Sequence, residues 1–234
     1  MNKKSTRLPE PFHPDSNSTV FAGRKPAEKA SEDLEQGQAR LGGFWRRPSY
    51  LESYRVSASL LIEQGRSIGS YDEIGLPVFY LQRHATELLL KRMLGWCINI
   101  IELKFRLSGN DSKQIPCALR RARTNSHDLK EILKALKRAA GMADVAVPPA
   151  ILVSLVERID SVENSDHWSR YDNVHGPSHH EKEATLPIVE LQDLLDRGCE
   201  SCIGRGLDLE GYEMDLYCTH ESLSMALEQT SPGA

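Results

Sequence analysis

The sequence is poor in aromatic residues and has no long apolar run, and each absence excludes a class of function. Aromatic residues make up 6% of the 234 positions, too few to predict a stacking platform for single-stranded nucleic acid. No segment approaches the roughly 18 uncharged apolar residues of a membrane-spanning helix. No apolar stretch follows the basic residues near Met1, as it would in a signal peptide. We therefore expect a cytoplasmic protein that does not enter a membrane.

Several catalytic motifs are also absent. The sequence has no Walker loop, no GxGxxG after a strand, no GxSxG elbow and no HExxH helix, which excludes nucleotide hydrolysis, dehydrogenase and serine-hydrolase chemistry of those types. Because the net charge is -4, any nucleic acid must be bound through a local basic patch and not through a general positive field.

The cysteines do not form a disulfide or zinc pattern. Their number, five, is odd and indicates free thiols in a reducing compartment. Cys199, Cys202, Cys218 and His220 are residue types that bind zinc, but their irregular spacing favours buried thiols. We predict neither a metal nor a cofactor, and a zinc-stabilised regulator is the distant alternative.

The apolar pattern is helical throughout. Residues 1–43 are polar and predict a flexible N-terminal tail, 44–228 predict a single all-α domain, and 229–234 predict a loose C-terminal tail. The fold class is an all-α helical bundle of about five or six helices. Helices are predicted over 49–65, 78–105, 149–164, 187–202 and the second half of 207–227. A further helix is capped by Asn125 and Ser126 and ends at Gly141. Residues 69–77 are predicted to form a loop, and 116–123 either a loop or a short helix.

A polar stripe runs along the most apolar helix. On a helical wheel, one face of the helix contains Tyr80, Arg83, His84, Glu87 and Lys91, and most of the remaining circumference is aliphatic. A helix this apolar should be buried on several sides, so its charges need partners. We predict a polar network of Arg83, His84, Glu87 and Lys91, completed by groups from other helices. The alternative is a solvated face with an ordinary pair between Glu87 and Lys91.

Three segments carry a family resemblance: 76–91 (LPVFYLQRHATELLLK), 126–129 (SHDL) and 168–171 (WSRY). In this order and spacing they resemble uncharacterised bacterial members of the HEPN-like superfamily, over roughly residues 50 to 200. The resemblance implies an all-α bundle, a homodimer, and RNA cleavage or binding in toxin–antitoxin, antiviral defence or stress systems. An antitoxin or another protein is then an expected partner.

The ribonuclease branch of that superfamily has an arginine, four to six residues, and then a histidine. Arg170 and His175 fit this spacing, as do Arg121 or Arg120 with His127. In such a metal-independent endoribonuclease the histidine would transfer a proton and the arginine would stabilise the phosphorane. The candidate catalytic residues are Arg170, His175 and His127, and the candidate RNA-binding or polar-cluster residues are Arg83, His84, Glu87, Lys91, Asp128, Tyr171 and Arg121.

The sequence allows two alternatives. His127 and Asp128 lie at a helix N-terminus, where they would either face a phosphate or cap the helix. The whole protein could instead be a non-enzymatic interaction or regulatory protein in which the polar cluster only fixes helix packing. A nuclease needs an arginine and a histidine converging in an open cleft, whereas a structural network needs them buried and satisfied.

Overall fold

The structure, a computed structural model, describes residues 27–39, 50–109, 114–163, 185–204 and 210–230. Within these residues the chain is helical and contains no strand, which confirms the predicted all-α class. The helices are α1 (Ala27–Glu35), α2 (Tyr50–Ile68), α3 (Asp72–Leu107), α4 (Cys117–Thr124), α5 (Leu129–Ala143), α6 (Ile151–Glu163), α7 (Ile188–Ile203) and α8 (Tyr212–Thr230). The number exceeds the predicted five or six because α1 lies in the expected tail and the segment read as loop or short helix forms α4.

The chain divides into two compact units, residues 1–53 and 54–234. Of the first unit the structure describes α1 and the first residues of α2. The predicted division into a tail, one domain and a second short tail stays a prediction. Among the described residues, no helix combines the length and the apolarity that crossing a membrane requires.

Helix α3 is the centre of the second unit, and α4, α5, α6, α7 and α8 all pack against it. Helix α2 adds Ala58 and Ile62 to a small cluster with Val78 of α3 and Ile188 of α7. Burial of α3 on several sides explains why its sequence is apolar around most of its circumference. The largest fully buried side chains are Phe79, Leu89, Leu90, Met93, Leu94, Ile100, Ile101, Leu119, Ile132, Leu136, Leu152 and Leu155.

The predicted loop at 69–77 is wrong from residue 72 onward, because α3 begins at Asp72 and Pro77 lies inside it. The first turn contains two acidic residues, Asp72 and Glu73, whose negative charges interact favourably with the positive end of the helix dipole. Ser70 accepts a hydrogen bond from the Asp72 backbone N–H at 3.2 Å and donates one to Glu73 at 3.1 Å. Tyr71 is the N-cap, and its side chain makes no capping hydrogen bond. Pro77 removes only one backbone hydrogen bond from a long helix.

The predicted cap of α5 is also corrected. Asp128 is the N-cap, and its side chain accepts the Glu131 backbone N–H at 3.1 Å. Asn125 instead ends α4, and the Ser126 hydroxyl donates to the Glu131 carboxylate at 2.5 Å. Of the two roles open to Asp128, the structure shows capping. The short connection between α4 and α5 is thereby fixed at both ends.

Candidate functional site

Arg83 is the centre of a polar cluster that joins three parts of the fold. Its Nε donates to the Glu163 carboxylate at 2.6 Å, its Nη2 donates to the His127 carbonyl oxygen at 2.7 Å, and its Nη1 lies 3.4 Å from the Glu87 carboxylate. The Arg83 side chain is 9% exposed. Each guanidinium nitrogen therefore has a partner, and α3 is tied to the end of α6 and to the α4–α5 connection.

Glu87 is the most buried carboxylate of the cluster, at 4% side-chain exposure. Its Oε1 accepts from Lys91 Nζ at 2.8 Å and lies 3.0 Å from His127 Nδ1. Burial alone would raise the pKa of the Glu87 carboxyl, but the hydrogen bonds and charges of Lys91 and His127 outweigh it and hold that pKa below its ordinary value. Glu87 is therefore an ionised acceptor at neutral pH.

His127 is the one exposed member of this cluster, with 70% of its side chain accessible. Its backbone carbonyl is held by Arg83, and its Nδ1 faces Glu87. A carboxylate on Nδ1 selects the tautomer with its proton on that nitrogen, so the lone pair of Nε2 is left to accept a proton from a ligand. The arrangement can therefore orient an imidazole for acid–base work at the surface.

The predicted stripe is only partly one network. Arg83, Glu87 and Lys91 contact one another, with His127 and Glu163 added from other elements. His84 lies outside this set of hydrogen bonds, and its ring packs edge-on against Tyr54 of α2 with centroids 4.5 Å apart. Tyr80 packs against Phe79. Inclusion of His84 in the cluster was therefore wrong, because its position on the helix turns it toward α2.

The basic residues of α4 differ in their surroundings. Arg120 pairs with Glu102 of α3 at 3.2 Å, and Arg121 is exposed. Arg123 is also exposed, but its guanidinium packs over Gly95 of α3. The structure does not bring Arg120 or Arg121 into hydrogen-bond contact with His127, so the family spacing is not matched by a paired geometry here.

Three candidate residues, Arg170, Tyr171 and His175, lie outside the described residues. Their predicted roles stay predictions.

The C-terminal cysteines are free thiols, as are the other two. Cys199 and Cys202 are buried and Cys218 is exposed. Burial, with smaller contributions from Cys199 and Glu213, raises the pKa of the Cys202 thiol to about 12, which makes it a poor nucleophile and a poor metal ligand. In the described part of the chain, no group of three or more His, Cys, Asp or Glu side chains is placed to hold a metal ion.

Two contacts of the site were not predicted, that of Arg83 with Glu163 and that of Arg123 with Gly95. Glu163 ends α6, 80 positions beyond Arg83, and nothing in the local sequence connects them. Arg123 and Gly95 are likewise distant in sequence, although a glycine inside so apolar a helix is itself a sign of close approach by another group.

Comparison with known proteins gives no match to any family model, to any curated protein or to any solved structure.

We expect the charge of Glu87 to make stability depend on acidic pH. Its folded-state pKa is lowered, so its contribution is fully present above the ordinary value of 4.5 and is lost as the pH falls through the lower folded value. Below that pH, Arg83 and Lys91 lose their ionised partner. Urea unfolding at pH 6 and at successively lower pH values measures the loss.

The matched comparison is Glu87→Gln, which keeps the shape of the side chain and cannot ionise. All other carboxyls titrate in both proteins, so the difference in free energy of unfolding isolates Glu87. That difference should be large at pH 6 and shrink as the pH falls below 4.5. Parallel curves for the two proteins would contradict the lowered pKa.

Proposed function

We propose that this is a HEPN-like RNA-directed protein, acting as a metal-independent endoribonuclease in which His127 transfers the proton. The proposal rests on one observation: the exposed His127 ring is oriented through Nδ1 by the buried carboxylate of Glu87. A solvent-facing imidazole with a buried carboxylate on its other nitrogen is suited to general base catalysis.

The proposed reaction is cleavage of RNA at its 2′-hydroxyl. His127 Nε2 takes the proton of the 2′-hydroxyl while that oxygen bonds to phosphorus, and the bond from phosphorus to the 5′-oxygen breaks. The leaving 5′-oxygen takes up a proton from water. Lys91, next to Glu87 in the cluster, adds positive charge near the reacting phosphate. Glu87 is a positioning residue in this scheme because it acts through His127.

The biological setting follows from the family resemblance alone. It favours a homodimer, a role in antiviral defence, toxin–antitoxin or stress systems, and an antitoxin or other protein partner in the cytoplasm. Arg170 and His175 are the predicted arginine–histidine pair of that pattern, and they would act with or in place of His127.

A second candidate function is supported by Arg83. All three of its nitrogens are used within the protein and its side chain is 9% exposed, which is the expected state of a structural network. In this case the chain is a non-enzymatic interaction protein, and the cluster only holds α3, α6 and the α4–α5 connection together.

The two functions are separated by incubating purified protein with labelled structured and single-stranded RNA, without and with EDTA. Wild-type protein should cleave in both conditions. Arg170→Ala, His175→Ala and His127→Ala variants, each checked for native folding, identify the proton-transfer site. Absence of cleavage by well-folded wild-type protein would reject the nuclease and favour the interaction protein.

A further inference from the structure

Arg123 of α4 lies flat against the central helix, close to the cluster. The Cζ, Nε and Nη2 atoms of Arg123 are each 3.3 Å from the position that a Cβ on Gly95 would occupy. Equal distances mean that the plane of the guanidinium faces Gly95, so its N–H groups point along the surface of α3. Among the described residues, Arg123 makes no hydrogen bond or ion pair. Its donors are available to a ligand.

Gly95 continues the row of the polar cluster. Arg83, Glu87, Lys91 and Gly95 follow one another at intervals of four residues, so they lie along one side of α3. The His127 ring contacts the Glu87 carboxylate, and the Arg123 guanidinium packs against Gly95. The two attachment points are eight residues apart, which corresponds to about 12 Å along the helix axis.

This separation determines the class of ligand. A hydrogen bond spans about 3 Å, so one phosphate is too small to bridge contact points that lie about 12 Å apart along α3. A chain of phosphates can contact both. Arginine donors suit phosphate oxygens because the planar guanidinium offers several N–H groups in one plane.

We infer that Arg123 binds a second phosphate of the strand that is cleaved at His127, so that the ligand is an oligonucleotide and not a mononucleotide. This inference rests on the proposed function, since it takes His127 as the reacting site. Gly95 is the residue that lets the guanidinium approach α3, because any side chain there would meet it.

The test is equilibrium binding, measured apart from cleavage. The probe is a fluorescent single-stranded oligoribonucleotide with 2′-O-methyl groups, which cannot be cleaved because its 2′-oxygens carry no proton. Binding is followed by anisotropy at several salt concentrations, with a nucleoside monophosphate as competitor. The proteins are wild type, Arg123→Ala, Arg123→Lys and Arg197→Ala. Arg197 is the control because it is an exposed arginine of α7 that pairs with Asp193.

We expect Arg123→Ala to weaken binding about tenfold, the effect of losing one charge-assisted hydrogen bond. The slope of log affinity against log salt should decrease by about 0.7, the value for one phosphate contact on a single strand. Arg123→Lys, which keeps the charge, should restore the slope. Arg197→Ala should match wild type, and the monophosphate should compete poorly.

The binding and cleavage measurements distinguish failure of the Arg123 inference from failure of the proposed nuclease. If wild type cleaves RNA but Arg123→Ala keeps the wild-type affinity and salt slope, the inference is overturned and the nuclease stands. If wild type binds the probe with the expected Arg123 dependence but never cleaves RNA, the catalytic proposal fails and the phosphate contact stands. If wild type does not bind the probe at all, the inference is overturned, and the cleavage assay alone decides the nuclease.

Discussion

A His127→Asn protein should lose RNA cleavage while keeping the stability of the wild type. The asparagine amide can occupy the place of Nδ1 and donate to Glu87, which accepts at 3.0 Å in the wild type. The carbonyl oxygen of residue 127 still accepts from Arg83, so the α4–α5 connection stays in place. An amide cannot transfer a proton at neutral pH, and we expect the cleavage rate to fall by about 10²–10⁴-fold.

The comparison with His127→Ala separates chemistry from packing. Alanine removes the contact with Glu87 as well as the titrating group, at a cost of about 1 kcal/mol in the free energy of unfolding. Both variants should be equally inactive, although only one is less stable. Cleavage at the wild-type rate by His127→Asn would exclude His127 as the proton-transfer group and direct attention to Arg170 and His175.

The polar cluster shows which parts of a site can be predicted from one sequence. The four-residue spacing of Arg83, Glu87 and Lys91 puts them on one line of α3, and the apolar surroundings require that they be buried together. Both conclusions depend only on the periodicity of one helix. His84 was misassigned because adjacent helical positions differ by about 100°, and α2 covers that direction through Tyr54.

The partners from other helices could not be predicted in the same way. Glu163 reaches Arg83 only because the end of α6 packs near α3, and the order of helix packing is set by the whole core. The role of His127 has a similar origin. Its place near the N-terminus of α5 was predicted, but the Nδ1 contact with Glu87 depends on how α4 and α5 lie against α3.

Replacing Arg83 by alanine should lower the free energy of unfolding by about 3–5 kcal/mol, as expected when one partner of a buried charge network is removed. The variant loses three hydrogen bonds, including one to the Glu163 carboxylate at 2.6 Å and one to the His127 carbonyl at 2.7 Å. Glu87 keeps its contacts with Lys91 and His127 but loses the positive charge of Arg83. Urea unfolding at neutral pH measures the change.

Arg158→Ala is the matched control. Arg158 also uses its guanidinium fully within the protein, with hydrogen bonds to Glu190 and to Ser161. Its side chain is 39% exposed against 9% for Arg83, so water can replace those bonds and we expect a loss below about 1 kcal/mol. Since the two arginines differ mainly in burial, the difference between the variants measures what burial adds. Equal losses would mean that the cluster does not hold α3, α6 and the α4–α5 connection together, and the orientation of His127 would then need another source.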